Sequence, residues 1–575
     1  MGVPGFFSWI YKKYKNNKIV LTSMNEKVSV LYIDANCLFH PQCFKILNYY
    51  SKLKDVKKLE KYMISRILNY LDYLISTTNP QMVYISVDGV APNAKMNQQR
   101  KRRFKTIYDN VVKNDLKDKY KIEHLDVWTN TCITPGTEFM EKLHLDILNY
   151  ILNNKNKKII YSSYHTNGEG EHKILQHIKN NNEELDGINM IYGLDADLIF
   201  LAMACGKSNI YLLREADQFG KSRIETSEFD DIIEDVAEDL NYVSIDELKN
   251  CINATIIETI NNIQTKKYEA EIEKSNNFSD DFILICMFLG NDFLPHFPSI
   301  DIKTGGLDII VKTYAHTFLL LNKNILQKKN NKVVIHKFFL TKFIEMLSCY
   351  ENNYFTKILP KYNSVVKRCP TSDPYERELW NIENMIDMDI EDPIKLGKIP
   401  IEESKYKYYE HHFGVRDYQD DFKNKMCKEY IKGLLWVSKY YFEKCPSWYW
   451  QYPYSHAPFI SDLSNYCKKI NALNYTFDNK PCISPCVQLL AVLPPACKKL
   501  LPKNYQELIV SPDSPIIDFY PIEIYFDMIN KDLYWKCIPY IPCIDMDRIL
   551  ECVKDVKLSK DEDIRNKILD DFRNY

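Results

Sequence analysis

Glu169 and Glu171 in GEGEHK, and Asp195 and Asp197 in GLDADL, form two carboxylate pairs, each spaced by one residue, while Asp34 and Asp88 close two hydrophobic runs. A seventh acid, Asp292, follows the break at Gly290 in the apolar run from Asp280 to Ile300. Acids gathered in one place raise one another's pKa values unless a cation neutralises them. Oxygen donors without accompanying Cys or His suit Mg²⁺, with Mn²⁺ as a substitute, rather than zinc. Two such ions roughly 3.5–4 Å apart form the usual clamp for in-line phosphodiester hydrolysis. One Asp after a strand is ordinarily a turn residue or a helix cap. The seven together point instead to metal-dependent phosphoryl transfer.

The elements that must position these acids are legible nearby. Val28 to Asp34, Gln81 to Asp88, Lys157 to His165, Ile188 to Asp195 and Ser208 to Glu215 are short β-branched and aromatic runs that read as buried strands. Between them, Lys57 to Thr77 and Gly136 to Asn154 carry apolar residues at helical spacing. The alternation predicts an α/β fold with a doubly wound, mostly parallel sheet. Ligands of such sheets bind beyond the carboxyl ends of the strands. Six of the acids close or shortly follow a strand and are expected to share that edge, with Asp292 approaching it from a different setting.

Ala94 to Lys105, AKMNQQRKRRFK, holds six basic residues and no acid. As a helix it would project Lys95, Gln99, Arg102 and Arg103 from one face. Arg supplies bidentate donors and Lys a point charge, so this face suits a terminal phosphate. The plainer alternative is a solvated basic helix or a nuclear-targeting run.

MGVPGFFSWI at the start, DANCLFHP, VDGVAPNAKMNQQRKRRF, CITPGTEFM, GEGEHKI, YGLDADLI and LGNDFLPH together resemble the XRN family of 5′→3′ exoribonucleases. The resemblance continues through GLLWVSKYY, CPSWYWQYPYSHAPFISDL, LLAVLPP and FYPIEI, and so covers nearly the whole chain. It implies that Asp34, Asp88, Glu169, Glu171, Asp195, Asp197 and Asp292 are the catalytic, metal-binding set. It also implies that Lys95, Gln99, Arg102 and Arg103 hold a 5′-monophosphate, in a pocket too small for a cap or triphosphate. His40 matches the residue that stacks on the 5′-terminal base, with Trp448 or Trp450 as a second contact. On residue type alone, a His after a strand is more often structural, and the aromatic cluster around Trp448 and Trp450 reads as core. The implied reaction is processive hydrolysis of single-stranded RNA to nucleoside 5′-monophosphates. Two divalent ions would activate water and stabilise the leaving 3′-oxygen, and each cut would leave a new 5′-phosphate to slide into the pocket. The leading segment of the family packs near its active site, so Gly2 and Pro4 are expected to form a tight entry.

Two departures stand out: Asn93 replaces a basic residue and Cys37 a Gly usual in the family. Neither is expected to touch the seven acids or the four pocket residues. The sequence stops soon after the second shared region and reads as a short form without the extra C-terminal domains of large members.

Composition is compatible with this reading. At 575 residues, two or more domains are expected. These read as 1–313, the α/β nuclease region; 314–407, a charged, irregular connecting or inserted region; and 408–575, a mainly helical region packed on the first and completing the pocket. The chain has no apolar run long enough for a membrane and no signal-peptide pattern. Its 17 scattered Cys favour reduced thiols. Zinc at Cys467, Cys482, Cys486 and Cys497 is not supported by their spacing. The net charge of −2 gives no global signature of nucleic-acid binding, so the local basic face must supply it. The expected setting is intracellular, more cytoplasmic than nuclear, as a monomer with decapping or other RNA-decay partners. Abundant Asn, Lys, Ile and Tyr suggest an AT-rich genome such as that of a large DNA virus or a protist. The alternatives are a flap-type DNA nuclease, for which no helix-hairpin-helix segment is found, and a non-catalytic RNA-decay scaffold, which would not need all seven acids.

Overall fold

Strand β2 (Val28–Asp34) is buried along its whole length, as a strand covered on both faces must be. It occupies the middle of an eight-stranded sheet. A computed structural model describes residues 5–50, 53–124, 128–180, 187–216, 231–264, 277–329, 332–386, 388–415 and 420–574; Gly2 and Pro4 lie outside the described residues. The chain divides into two discontinuous units. One comprises Met1–Lys13, Lys249–Asn479 and Glu523–Tyr540; the other, which holds the sheet, comprises Tyr14–Leu248, Lys480–Ile522 and Ile541–Tyr575.

The remaining strands of the sheet are β1 (Val20–Leu21), β3 (Met82–Ser86), β4 (Lys158–Ser162), β5 (Ile188–Tyr192), β6 (Ile210–Glu215) and β7 (Leu240–Ser244). Two hairpins of the other unit supply β8 (Leu326–Lys329) with β9 (Lys332–Ile335), and β10 (Tyr525–Asp527) with β11 (Ile538–Tyr540). The last strand, β12 (Phe572–Asn574), returns to the large sheet, whose order is β1-β7-β6-β5-β2-β3-β4-β12. From β6 to β4 the neighbours run parallel; β7, β1 and β12 are antiparallel additions at the two sides.

Both faces are covered, as the alternation of strands and helices predicts. Leu31, Ile33, Val83, Ile85, Ile159 and Tyr161 join a core with residues of the helices Ala35–Tyr49, Val56–Thr78 and Glu138–Asn153. On the opposite face, Tyr32 and Tyr84 meet His177 of the helix Gly170–Asn180 at centroid distances of 5.7 and 4.3 Å. The chain steps from β2 to β3 on one side, then crosses to β5 on the other side of β2. The winding therefore reverses between β2 and β5, and the crevice this opens at their carboxyl ends is where such sheets bind ligands.

The other unit is mainly helical. Part of it departs from the irregular region expected over 314–407: Lys337–Ser348 is a helix with Phe339, Leu340, Phe343, Ile344 and Leu347 buried, and Ile401–Phe413 is another that begins within it. Interleaved Lys and Glu conceal a 3.6-residue apolar period there. Asp281, fully buried, ties this unit together. Its carboxylate accepts the backbone N–H groups of Ile325 at 3.0 Å and Leu326 at 2.9 Å, the Asn324 amide at 2.9 Å, and the Tyr314 hydroxyl.

Candidate active site

Asp34 is the last residue of β2 and the N-cap of the helix Ala35–Tyr49. Opposite it in register on β3 is Ser86, whose hydroxyl donates to the Gly170 carbonyl at 2.8 Å. Asp88 lies two residues further on; its backbone N–H donates to Asn36 Oδ1 at 2.9 Å, and its own Oδ1 accepts the Gly170 N–H at 2.6 Å. A Cβ built on Gly170 would stand 2.9 Å from Asp34 Oδ1 and 3.3 Å from Asp88 Oδ1. Glycine between Glu169 and Glu171 therefore lets the GEGE backbone come into contact with the other two acids.

That approach is fixed from the outside. Gly89 N–H donates to the Gly168 carbonyl at 2.9 Å, and Gly168 N–H donates to the Val90 carbonyl at 2.8 Å. A Cβ on Gly89 would fall 1.9 Å from the Thr166 carbonyl oxygen, so no other residue fits. Lys173, buried, donates to the carbonyls of Ser163 and Thr166, each at 3.0 Å. Asp195 caps the helix Ala196–Ala204 from an exposed position without a side-chain cap bond, and Asp197 is buried in that helix's first turn.

Electrostatics tie these acids together. Burial first, then repulsion from Asp88 and Asp195, pushes Asp34 up to about 8, opposed by a hydrogen bond from Cys37. Burial likewise drives Glu171 well above the carboxylate range, with Glu169, Asp197 and Asp195 adding repulsion and Lys95 opposing it. Asp34 Oδ1 and Glu171 Oε2 are buried without a hydrogen-bond partner. Buried carboxylate oxygens left bare are costly; here they are aimed among other acids, and the donor set is oxygen-rich. These residues therefore fit a hard divalent cation.

A pH dependence follows for the metal-free protein. Asp34 is held above its unfolded value, so the folded state keeps a proton that the unfolded chain has lost, and stability falls as pH rises from about 4 to about 8. Asp34→Asn should then melt a few degrees higher than the parent in EDTA at pH 8, and should lose the rise in Tm that Mg²⁺ gives the parent; scanning calorimetry with and without Mg²⁺ checks both.

The basic segment is helical, from Asn93 to Lys119, and its cations divide between two faces. Arg100 is wholly buried, donating to the carbonyls of Ala491 (3.1 Å) and Phe519, with its guanidinium 4.5 Å from the Phe104 ring centroid and 5.3 Å from that of Tyr520. It is a packing residue. On the other face Lys95 pairs with Glu169 at 2.5 Å. Arg103 donates from Nη2 to Thr134 Oγ1 at 2.9 Å, while its Nη1 and the nearby Gln99 Oε1 are buried without hydrogen-bond partners. Arg102 is exposed. Burial, then Arg102, lowers Arg103 to about 9, which still leaves it charged at neutral pH. Burial, then Arg102 and Arg103, lowers His40 to about 4, with Asp195 opposing. His40 is therefore neutral at pH 7 and feels the charges of Arg102, Arg103 and Asp195.

One sequence expectation is corrected here. Cys37 does touch the acidic set: its Sγ donates to Asp34 Oδ2 at 3.0 Å. A residue three positions after an N-cap lies over the cap, a spacing that was readable. Asn36, Ser86, Gly170 and Lys173 are the other supporting residues that were not singled out.

Asp292, Trp448 and Trp450 belong to the other unit. Gly290 there has φ 86°, and Asn291 Oδ1 accepts the N–H groups of Phe293 and Leu294, each at 2.9 Å, in a tight turn that leaves Asp292 half-buried. Trp450 is 6 % exposed and stacks on Trp436 at 5.4 Å, whereas Trp448 is half-buried. In the same unit His412, His456 and Asp527 bring ligand-type atoms within 4.8 Å. Yet the two imidazole centroids are 3.8 Å apart in a stack, whereas two rings sharing one tetrahedral ion would hold theirs about 5 Å apart. The trio is a hydrogen-bonded network, completed by Ser455 on His456, Tyr540 on His412 and Lys531 on Asp527. No helix among the described residues is long and apolar enough to cross a membrane.

Comparison with known proteins agrees with this architecture. Residues 1–216 match the family model described as the XRN 5'-3' exonuclease N-terminus. Residues 273–378 and 370–572 match the Xrn1 helical domain. Human 5'-3' exoribonuclease 1 is 31% identical over 99% of this chain and 35% of its own length. The Arabidopsis thaliana 5'-3' exoribonuclease 2 is 27% identical over 100% of this chain and 69% of its own, and the Saccharomyces cerevisiae 5'-3' exoribonuclease 1 is 27% identical over 99% and 44%. The chain thus spans about a third of the human relative. With family matches across both the sheet-bearing residues and most of the helical ones, the chain belongs to the XRN 5′→3′ exonuclease family.

Proposed function

We propose that this chain is a divalent-metal-dependent 5′→3′ exoribonuclease that removes nucleoside 5′-monophosphates one at a time from single-stranded RNA bearing a 5′-monophosphate. The observation that carries the reading is the contact of Asp34, Asp88 and the Glu169–Glu171 turn through Gly170 at the carboxyl ends of β2 and β3, beside a buried arginine with a bare N–H. Asp34, Asp88, Glu169, Glu171, Asp195 and Asp197 would hold the ions. The chemistry that Mg²⁺ or Mn²⁺ supplies when bound is activation of water and stabilisation of the leaving 3′-oxygen.

The chain's own residues account for direction and selectivity. Arg103 Nη1 and Arg102 offer donors to a 5′-phosphate, Gln99 orients it, and Lys95 neutralises charge between phosphate and Glu169. In this reading their site would admit one phosphate rather than a capped or triphosphorylated end. Neutral His40 presents a ring on which any base stacks, worth roughly 1–3 kcal/mol. In this reading residues 1–313 carry the chemistry.

The test is digestion of 3′-labelled single-stranded RNA carrying a 5′-monophosphate, hydroxyl or triphosphate, beside matching DNA, in Mg²⁺ or EDTA. Magnesium-dependent loss of the monophosphate RNA alone, without intermediates, is expected; preferential cleavage of DNA would overturn the reading. Arg102→Ala, at an exposed position, should fold normally and reduce the preference for monophosphate over hydroxyl ends roughly tenfold, the worth of one charge-assisted phosphate contact. Competition between the two labelled ends reads this out directly.

A further inference from the structure

Cys37 stands inside the acidic crevice. Its Sγ donates to Asp34 Oδ2 at 3.0 Å, and the backbone N–H of Leu194 lies on the sulfur. The thiol therefore bridges the carboxyl ends of β2 and β5, with Asp34 and Asp195 around it and Arg214, which donates to the Leu194 carbonyl, behind it. The other oxygen of the same Asp34 carboxylate, Oδ1, is buried and bare, and Asp34 is only 5 % exposed. A half-buried sulfur thus shares its hydrogen-bond acceptor with a group already poised for a cation.

We infer that Cys37 turns this acidic crevice into a mixed oxygen and sulfur site, which takes thiophilic divalent ions such as Cd²⁺ and Zn²⁺ through Sγ together with the carboxylates of Asp34 and Asp195. The inference rests on the proposal that these acids hold a divalent ion. Hard ions bind the carboxylates and leave the thiol protonated on Asp34; soft ions recruit the sulfur. In that event the S–H bond breaks, its proton leaves to solvent, an Sγ–metal bond forms, and no electron is transferred. A bound dication favours the thiolate as its ligand.

The experiment uses the full chain with ¹¹³Cd²⁺ as probe, compared with Cys37→Ser, which keeps a hydroxyl donor for Asp34. The expected result is a ¹¹³Cd resonance in the parent at a shift typical of mixed sulfur and oxygen ligation, displaced by excess Mn²⁺. In Cys37→Ser it should move to the oxygen-only range, with Cd²⁺ affinity falling roughly tenfold or more and Mn²⁺ affinity changing far less. The same Mn²⁺-displaceable resonance in both proteins would overturn the assignment of the thiol. Mn²⁺ binding followed by electron paramagnetic resonance in the parent and Asp195→Ala separates the two levels. If Mn²⁺ binds and needs Asp195 while the cadmium signal ignores Cys37, only the thiol assignment fails. If Mn²⁺ binding is indifferent to Asp195, the acidic-site reading fails and this inference with it.

Discussion

Asp195→Ala should lower Mg²⁺-dependent cleavage of 5′-monophosphorylated RNA by roughly 10³-fold or more, the scale on which loss of a charge-stabilising group acts, while Tm stays within about a degree. The asymmetry comes from where the side chain sits. Asp195 is exposed and makes no cap bond to the helix it precedes, so little folding energy depends on it, yet its charge is felt by Asp34, Glu171 and His40. Asp34→Ala would be a poorer probe, because it also strands the Cys37 thiol and opens a gap at the end of β2. Single-turnover kinetics with thermal melting on the same samples decides the matter. Loss of activity and stability together would make Asp195 a structural residue, and retained activity would remove it from the site.

Asp281→Ala carries the largest expected effect on folding. The carboxylate is fully buried and accepts from two backbone N–H groups, an amide and a hydroxyl. Truncation leaves four donors facing a cavity, and a loss of about 3–5 kcal/mol is expected because stranded buried donors cost more than the bonds themselves contribute. Asp281→Asn keeps the volume but points N–H at N–H, so it should recover only part of that. Limited proteolysis around β8 together with urea titration measures the effect; a change under about 1 kcal/mol would mean that water replaces the carboxylate at no great cost.

Much of this was readable from the residues because burial on both faces leaves a simple signature. The run Val28 to Asp34 is the strand β2 to the residue, and Lys57 to Thr77 falls within the helix Val56–Thr78. Asp34, Asp88 and Asp195 sit at or just past the ends of β2, β3 and β5. What escaped is what depends on pairing rather than period. Strands β1 and β12 are two and three residues long, too short to show alternation, and β7 is defined by its tertiary pairing with β6 and β1. The contact of Cys37 with Asp34 was readable from spacing but discounted, and the fourfold satisfaction of Asp281 needs residues from three separate elements. Gly170 was visible as part of GEGE, but only the backbone contact explains why a residue without Cβ is required there.

The pairing of β12 with β4 joins residues 572 and 161, and the segment leading into it also holds the turn before Glu169. Leu569 N–H donates to the His165 carbonyl at 3.2 Å, His165 Nδ1 lies 2.7 Å from the Lys567 carbonyl, and Thr166 Oγ1 donates to the Leu569 carbonyl at 3.0 Å. During synthesis this edge is finished only once residues 567–574 have followed the acids, about 400 residues after Glu169. Until residue 574 has left the ribosome, β4 presents a bare strand edge, the kind of surface that recruits other chains, and the Ser163 to Gly168 turn lacks its outer tethers. A nascent chain would carry the acids of the crevice before residues 567–574 fastened the turn that precedes Glu169.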